Sequence, residues 1–442
     1  MKRRAFLKNT AAAGAVVAAS TVLPLNARSQ SRVIGANERI RVGLIGCGGR
    51  GMGVAKAIAR APNVEYVGVA DVYPKNLNRA QEWAGPGTMA TKDFRKVLAM
   101  NDLDAVHIAT PDHWHAIPAV MAAEAGKHLY LEKPIGHTIR ENQAIVKAVK
   151  KSGVIVQVGT QHRSAPHWPI VKELIQNGHL GEVKYVKVWN NQNTYPKGLG
   201  KQPNTPVPDG VDWDFYLGPA PMVPFNRNRF VGIYRWYLDY CNGIITDYGA
   251  HRLDSMHQVM GEDAPRSISA VAHQHLLEDG TDVPDVLHVT YEYPSFICTY
   301  EALRINSFGP GGFSKDQKYY KSRGWSDRPN GLAFHGTKGT MFADRIGFEI
   351  FPEGNKTEAR SMQVGDSTAA HARNFVDCMR SGKATNATIE MGHAASNACM
   401  LGNIAWQYGA KLEWDPAKET ITNHPNANHL LGREARKPWD LI

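Results

Sequence analysis

Three groups of residues in this 442-residue chain have types and spacings that could do chemistry together. The first is Arg41 to Gly53, RVGLIGCGGRGMG, where Gly46, Gly48 and Gly51 fall in a G-x-G-x-x-G spacing. Each glycine answers a steric need: a tight turn, close approach of backbone to a pyrophosphate, and close contact of helix with strand. Gly49 and Arg50 share the loop, and Arg50 either reaches a phosphate or stands in solvent. Asp71 closes the next apolar run, and Val72, Tyr73 and Pro74 follow it without an arginine. A carboxylate there accepts from a ribose 2′-hydroxyl and repels a 2′-phosphate, so NAD is expected over NADP. The second group is Ala109-Thr-Pro-Asp-His-Trp-His115, followed by Leu131-Glu-Lys-Pro134. Both stretches end apolar runs that read as parallel strands, where open α/β sheets place ligands. Thr110, Pro111, His115 and Glu132 are read as cofactor-side residues, and Pro134 holds Lys133 in non-helical backbone at the rim facing a nicotinamide. The third group is Thr246-Asp-Tyr-Gly-Ala-His251, with Asp254 beyond. A helical pattern puts Asp247 and His251 on one face, and a histidine beside a carboxylate is the usual general-base arrangement. Taken singly, Lys133 reads equally as a surface charge, and Asp247 and His251 as a helix cap and a core histidine.

The elements that must position these groups alternate regularly at first. Val42, Leu44 and Ile45, then Val64–Asp71, Ala105–Ala109, His128–Glu132 and Val154–Val158, read as short buried strands. Helical patterns follow the glycine loop and recur over Lys75–Trp83, Trp114–Ala125 and Ile139–Lys151. Such alternation predicts parallel strands joined by right-handed crossovers, hence an α/β chain with a doubly wound sheet over residues 38–162. After His162 the rhythm changes. A helix over Pro169–Asn177 and a strand over Val183–Trp189 lead into a Pro/Gly/Asn-rich segment, Asn190 to Asn228. Long segments of that kind are usually functional or disordered. This one carries Trp213, Phe215 and Tyr216, with Trp236 and Tyr237 soon after. These aromatics serve either a sugar-stacking rim, with Trp236 read as substrate-facing, or the packing of the loop on itself. Strands over Ile268–His273, Val286–Tyr293 and Ile297–Ala302 follow closely and predict an antiparallel sheet. Helices near Ala369–Arg380 and Met391–Tyr408 complete a second α/β domain over residues 163–442.

Residues 1–30 open with Lys2, Arg3, Arg4, Phe6, Leu7 and Lys8 and continue into an Ala/Val-rich run. The R-R-x-F-L-K pattern predicts a twin-arginine export signal and a periplasmic protein, because the apolar run is too short for a stable membrane span. Export of that kind carries folded proteins, with cofactor already seated. Of the formal charge of +10, four positive residues lie in the first eight. The rest is scattered and carries no nucleic-acid motif. Five widely spaced cysteines frame neither a metal site nor a disulfide set, though an oxidising compartment leaves room for one bridge.

The glycine loop, T-P-x-x-x-H (110–115), E-K-P (132–134) and D-x-x-x-H (247–251), in this order, resemble the Gfo/Idh/MocA family over about residues 38 to 410. The resemblance implies an N-terminal Rossmann domain and a C-terminal α/β domain whose open, mostly antiparallel sheet forms an oligomer interface, hence a homo-oligomer. It also implies that Lys133 contacts the substrate hydroxyl and that Asp247 and His251 are the catalytic pair. Gln161, His162 and Arg163 then lie where the family lines its substrate pocket, and the stub 28–38 covers the adenine side of a tightly held NAD. His251 would remove a hydroxyl proton while Lys133 polarises the same oxygen and Asp247 holds His251 or a neighbouring hydroxyl. The expected function is an NAD-dependent oxidoreductase acting on a sugar, glycoside or cyclitol. A redox-neutral glycoside hydrolase or lyase working through a transient keto-sugar is the alternative. That branch often lacks the E-K-P lysine, so Lys133 favours the first. A non-catalytic sensor is disfavoured by the intact Lys133, Asp247 and His251 set.

Overall fold

A computed structural model of the protein describes residues 39–310 and 328–440. The export signal expected over 1–30 and the stub 28–38 lie outside the described residues. Six strands form the first sheet: β1 (Ile40–Ile45), β2 (Val64–Ala70), β3 (Met89–Thr91), β4 (Ala105–Ile108), β5 (His128–Leu131) and β6 (Val156–Val158). All pairs are parallel, in the order β3-β2-β1-β4-β5-β6. Val42, Leu44, Val106 and Leu129 have no exposed surface, which is why these strands read as continuous apolar runs rather than alternating ones. Five helices cover the sheet: α1 (Gly49–Ile58), α2 (Pro74–Ala84), α3 (Phe94–Leu98), α4 (Ala116–Glu124) and α5 (Ile139–Ser152). The last begins where the Thr138 hydroxyl accepts from Glu141 N at 3.2 Å and stops at Gly153, whose φ of +67° favours glycine. Strand order reverses between β1 and β4, so the loops after them diverge and leave a crevice.

The chain then continues through α6 (His167–Gln176) into β7 (Val183–Asn193). β7 is four residues longer than its apolar pattern predicts. It joins an 11-stranded sheet with β8 (Ser267–His273), β9 (Val286–Glu292), β10 (Ile297–Leu303), β11 (Ile305–Asn306), β12 (Asn330–Gly336), β13 (Gly339–Asp344) and β14 (Gly347–Pro352), among others. Only β7 and β10 pair in parallel; the remaining pairs are antiparallel. Val188 opposes Leu332 and Val186 opposes Phe334, all fully buried, so one face is apolar. That face packs under α9 (Gly249–Met260) and α11 (Ile389–Tyr408); α7 (Trp213–Leu217) and α8 (Ile244–Asp247) precede α9, and α10 (Thr368–Ser381) lies between α9 and α11.

Of the two readings of the Asn190–Asn228 segment, packing on itself is seen: Trp213 stacks on Tyr216 with centroids 5.0 Å apart, and Phe225 and Phe230 meet Trp213 edge-on. One feature departs from the predicted organisation. The helix α10 returns to the first domain, where Ala372, Phe375 and Val376 share a core with Val54 and Ile58 of α1. No helix among the described residues is long and apolar enough to cross a membrane. All five cysteines are buried and free.

Candidate active site

The crevice at the ends of β1, β2 and β4 is a cavity walled on one side by Gly46, Gly48, Gly49 and Arg50, and on others by Asp71, Thr110 and Pro111. Gly46 has φ +90°, and a Cβ there would lie 2.5 Å from the Ala109 carbonyl. A Cβ on Gly51 would lie 2.1 Å from the Gly46 oxygen, so this glycine sets helix against strand and stays behind the cavity wall. Gly48 and Gly49 face open space, and α1 starts at Gly48 with no side-chain cap. The first-turn N–H groups are thus free to meet an anion, and the cradle fits a pyrophosphate.

Asp71 organises one end of the cavity. Its Oδ2 accepts from Cys47 N at 2.8 Å and Asn76 Nδ2 at 3.4 Å, and its Oδ1 accepts from Tyr73 N at 2.8 Å. Burial pushes the carboxyl above the usual range, opposed by these donors and by Arg79, whose Nη2 donates to Cys47 O at 2.6 Å. The opposite wall comes from the second domain: Phe215, Tyr216, Phe230, Val231, Tyr234 and Arg235. It meets the first domain where Tyr73 packs edge-on against Phe230 at 5.2 Å and Asp212 N donates to Val72 O at 3.4 Å.

At the other end, Lys133 Nζ donates to Asp247 Oδ1 at 2.9 Å and to its backbone oxygen at 2.6 Å. Arg235 Nε lies 2.8 Å from Asp247 Oδ2, so one carboxylate stands between two cations. Burial alone would lower the Lys133 ammonium, but the carboxylates of Asp247 and Asp112 hold it above the ordinary lysine value. Burial likewise works to raise Asp247, and Lys133 and Arg235 hold it below the ordinary carboxylate value. His251 lies beside His162, ring centroids 4.9 Å apart, and its Nδ1 has no partner. Burial, then His162, Lys133 and Arg50, push this imidazole well below its ordinary range, so it is neutral and able to take a proton.

Several expected residues sit elsewhere than predicted. Asp247 does not hold His251: the helix is interrupted at Tyr248, where His251 N bonds back only three residues, to Tyr248 O at 3.2 Å. Asp247 is held instead by Lys133 and Arg235. Arg50 lines the cavity as expected and is also bound on the protein side, its Nε donating to Glu132 Oε1 at 2.7 Å and its Nη2 to Gln161 Oε1 at 3.1 Å. Glu132 is consumed by that pair rather than lining the cavity. His115 is also behind the wall, between Pro134 O at 2.6 Å and Thr110 O at 2.9 Å, and ties the two loops together. Arg163 is buried against Asp254 at 2.7 Å. Trp236 points away, under the Arg304 guanidinium at 4.3 Å, because Tyr234–Trp236 is a tight 3₁₀ turn whose successive side chains diverge. Arg235, its neighbour, is the residue that enters the site. Asp112, 5% exposed and with Oδ2 unpartnered, adds a second carboxyl near Lys133; the T-P-D sequence contained that signal, whereas nothing local marked Arg235.

A doubly wound sheet with an uncapped glycine cradle, a carboxylate in the cavity wall after β2 and a lysine–carboxylate–histidine set defines a dinucleotide-dependent oxidoreductase. Models of one oxidoreductase family match most of the chain: its NAD-binding Rossmann fold over residues 40–160, and its C-terminal alpha/beta domain over 167–297 and 330–441. The protein belongs to the Gfo/Idh/MocA oxidoreductase family. Levoglucosan dehydrogenase of Pseudarthrobacter phenanthrenivorans is 31% identical over 178 residues, 38% of this chain and 44% of that protein. An alpha-N-acetylgalactosaminidase of Shewanella oneidensis is 33% identical over 205 residues, 41% of this chain and 44% of that one. The matches thus span under half the length of these relatives. The fold resembles that of a levoglucosan dehydrogenase in complex with NADH, with a TM-score of 0.64 and 20% identity over 85% of this chain and 99% of that one.

Proposed function

We propose that this protein oxidises a hydroxyl-bearing carbon of a sugar, glycoside or cyclitol. The observation that carries the reading is the Lys133–Asp247 pair, with a neutral His251 near Lys133, joined to the wall of the glycine-loop cavity through Arg235. Bound in that cradle, NAD supplies the hydride acceptor. Lys133 donates a hydrogen bond to the reacting oxygen as carbonyl character develops. His251 takes the hydroxyl proton, which its depressed basicity lets it pass on rather than keep. Asp247 keeps the lysine charged and, through Arg235, keeps it aimed. The substrate class is supported by the similarity to levoglucosan dehydrogenase.

The tight hold on NAD, the homo-oligomer and the periplasmic location belong to the same reading. The aromatic wall closing over the cleft supports slow cofactor loss. Val271 and Ile297, 70% and 47% exposed on the outer sheet face, support association through that face. The Arg3-Arg4 segment supports export in folded form. The experiment is to purify the protein without added cofactor, identify NAD(H) by mass spectrometry after denaturation, and incubate it with free sugars, cyclitols and glycosides. Growth of nicotinamide absorbance with a keto product supports oxidation. Release of a free aglycone without net NADH, the chemistry suggested by the similarity to the galactosaminidase, would replace it with the redox-neutral route.

A further inference from the structure

Beside the segment that carries Asp247 and His251, the second sheet holds a cleft of about 350 Å³ that the chemistry above leaves unused. Its wall is the end of β7, the four successive amides Asn190, Asn191, Gln192 and Asn193, completed by Asn330 and Tyr248. Asparagine is depleted in strands, and buried polar groups are normally partnered. Here Asn190 Oδ1, Asn191 Oδ1 and Gln192 Nε2 are shut off from solvent and make no hydrogen bond. Asn190 is only 4% exposed, and its Nδ2 is already spent on the Tyr300 hydroxyl at 3.0 Å, which leaves its carbonyl as the open valence. Asn190 and Gln192, two residues apart on β7, share one sheet face, so one open acceptor and one open donor lie on the same side of the strand. A hydroxyl group answers both kinds, being donor and acceptor at once. The described lining carries no charged side chain, so the fitting ligand is neutral. Tyr248, 48% exposed at the rim, offers an aromatic face for an apolar ring surface.

The cleft is fixed to the catalytic segment. Tyr248 directly follows Asp247, and consecutive Cα atoms are about 3.8 Å apart. The Tyr300 hydroxyl, holding Asn190, also donates to Ile244 O at 3.3 Å, and Arg252, next to His251, donates to Asn330 Oδ1. We propose that this cleft is a saccharide subsite that takes the second ring of a disaccharide or glycoside whose first ring faces Lys133 and His251. It rests on the oxidoreductase reading for the placement of that first ring.

The test uses NAD-loaded protein, with glucose, galactose, lactose, cellobiose and maltose as probes. Binding is measured by titration calorimetry, and reduction of bound NAD is followed separately by absorbance. At least one disaccharide should bind about tenfold more tightly than either of its component monosaccharides. That advantage should shrink to about twofold in both Gln192→Ala and Tyr248→Ala, with monosaccharide affinity and NAD content unchanged. Asn193→Ala provides a third variant should either of these fail to fold. Disaccharides with no advantage, or an advantage the variants do not touch, would overturn the subsite. Variant-sensitive disaccharide binding without NAD reduction by any sugar would leave the subsite standing and remove the oxidoreductase reading. NAD reduction with no variant-sensitive binding would do the reverse.

Discussion

Replacing Asp71 by asparagine tests the adenosine end of the cleft on two counts. An ionised carboxylate offers about four lone-pair positions. Three of the Asp71 positions serve Cys47 N at 2.8 Å, Tyr73 N at 2.8 Å and Asn76 Nδ2 at 3.4 Å, which leaves about one for a ribose hydroxyl. Asparagine keeps one oxygen and turns an NH₂ group toward either Cys47 N–H or Tyr73 N–H. A lost hydrogen bond to a charged group is worth about 1.5–3 kcal/mol. Stability should fall by about that amount, and NAD affinity by about tenfold or more. NADP should lose little, since removing the charge also removes the repulsion of its 2′-phosphate. The assay is calorimetric titration of NAD and NADP into dinucleotide-free protein, with the thermal midpoint alongside. Because burial raises the Asp71 carboxyl, the preference for NAD should itself weaken as pH falls through that raised value and the acid becomes neutral. Equal losses for both cofactors at unchanged stability would refute the assignment of Asp71 to the ribose.

Lys133→Met and His251→Ala should each keep NAD content and cut single-turnover NAD reduction by about a hundredfold or more. The double variant should lose little beyond that, because both act on one hydroxyl; wild-type hydride-transfer rates in both single variants would move the chemistry elsewhere. Gly51→Ala puts a methyl 2.1 Å from the Gly46 oxygen and should yield protein purified without dinucleotide, which mass spectrometry detects. Burial holds His107, His113 and His257 at about 3 and keeps His162 and His251 well below the ordinary histidine value. Such groups bind protons on unfolding, so stability is full above about pH 6.5 and is lost toward lower pH at about 1.4 kcal/mol per pH unit for each histidine. The thermal midpoint should therefore fall steadily from about pH 7 to about 5, and a flat profile would show these rings to be solvated.

The parts of the site legible in the sequence are those whose constraint is local. Gly46 and Gly51 are dictated by contacts with the adjoining strand and helix, and Lys133 by the proline behind it. The pairing of Lys133 with Asp247 joins residues 114 apart, and no local pattern announces it. The same holds for Arg50 with Glu132 and for Arg163 with Asp254. Asp247 and His251 show the limit of helical spacing: it does not say which partners the rest of the chain brings, and Asp247 meets Lys133 and Arg235 while His251 meets His162. The strands of the first domain were legible because burial on both faces makes them uniformly apolar. β12 to β14 were not read, since Gly331, Gly336, Gly339 and Gly347 dilute the alternation that marks a strand. In the aromatic segment, composition alone could not tell a rim from a core, and Trp236 went to the core while Arg235 went to the rim.

Arg235 stands in two walls at once. Its side chain borders the dinucleotide cleft, and its Nε lies 2.8 Å from the Asp247 carboxylate. The stretch that carries it, with Phe230, Val231 and Tyr234, is the roof that meets Tyr73 across the cleft. Any motion that lifts this roof to let a dinucleotide pass also withdraws the second cation from Asp247. The wall of the dinucleotide cleft and the charge balance around Asp247 thus depend on one side chain, which ties the cofactor cavity to the lysine–carboxylate pair.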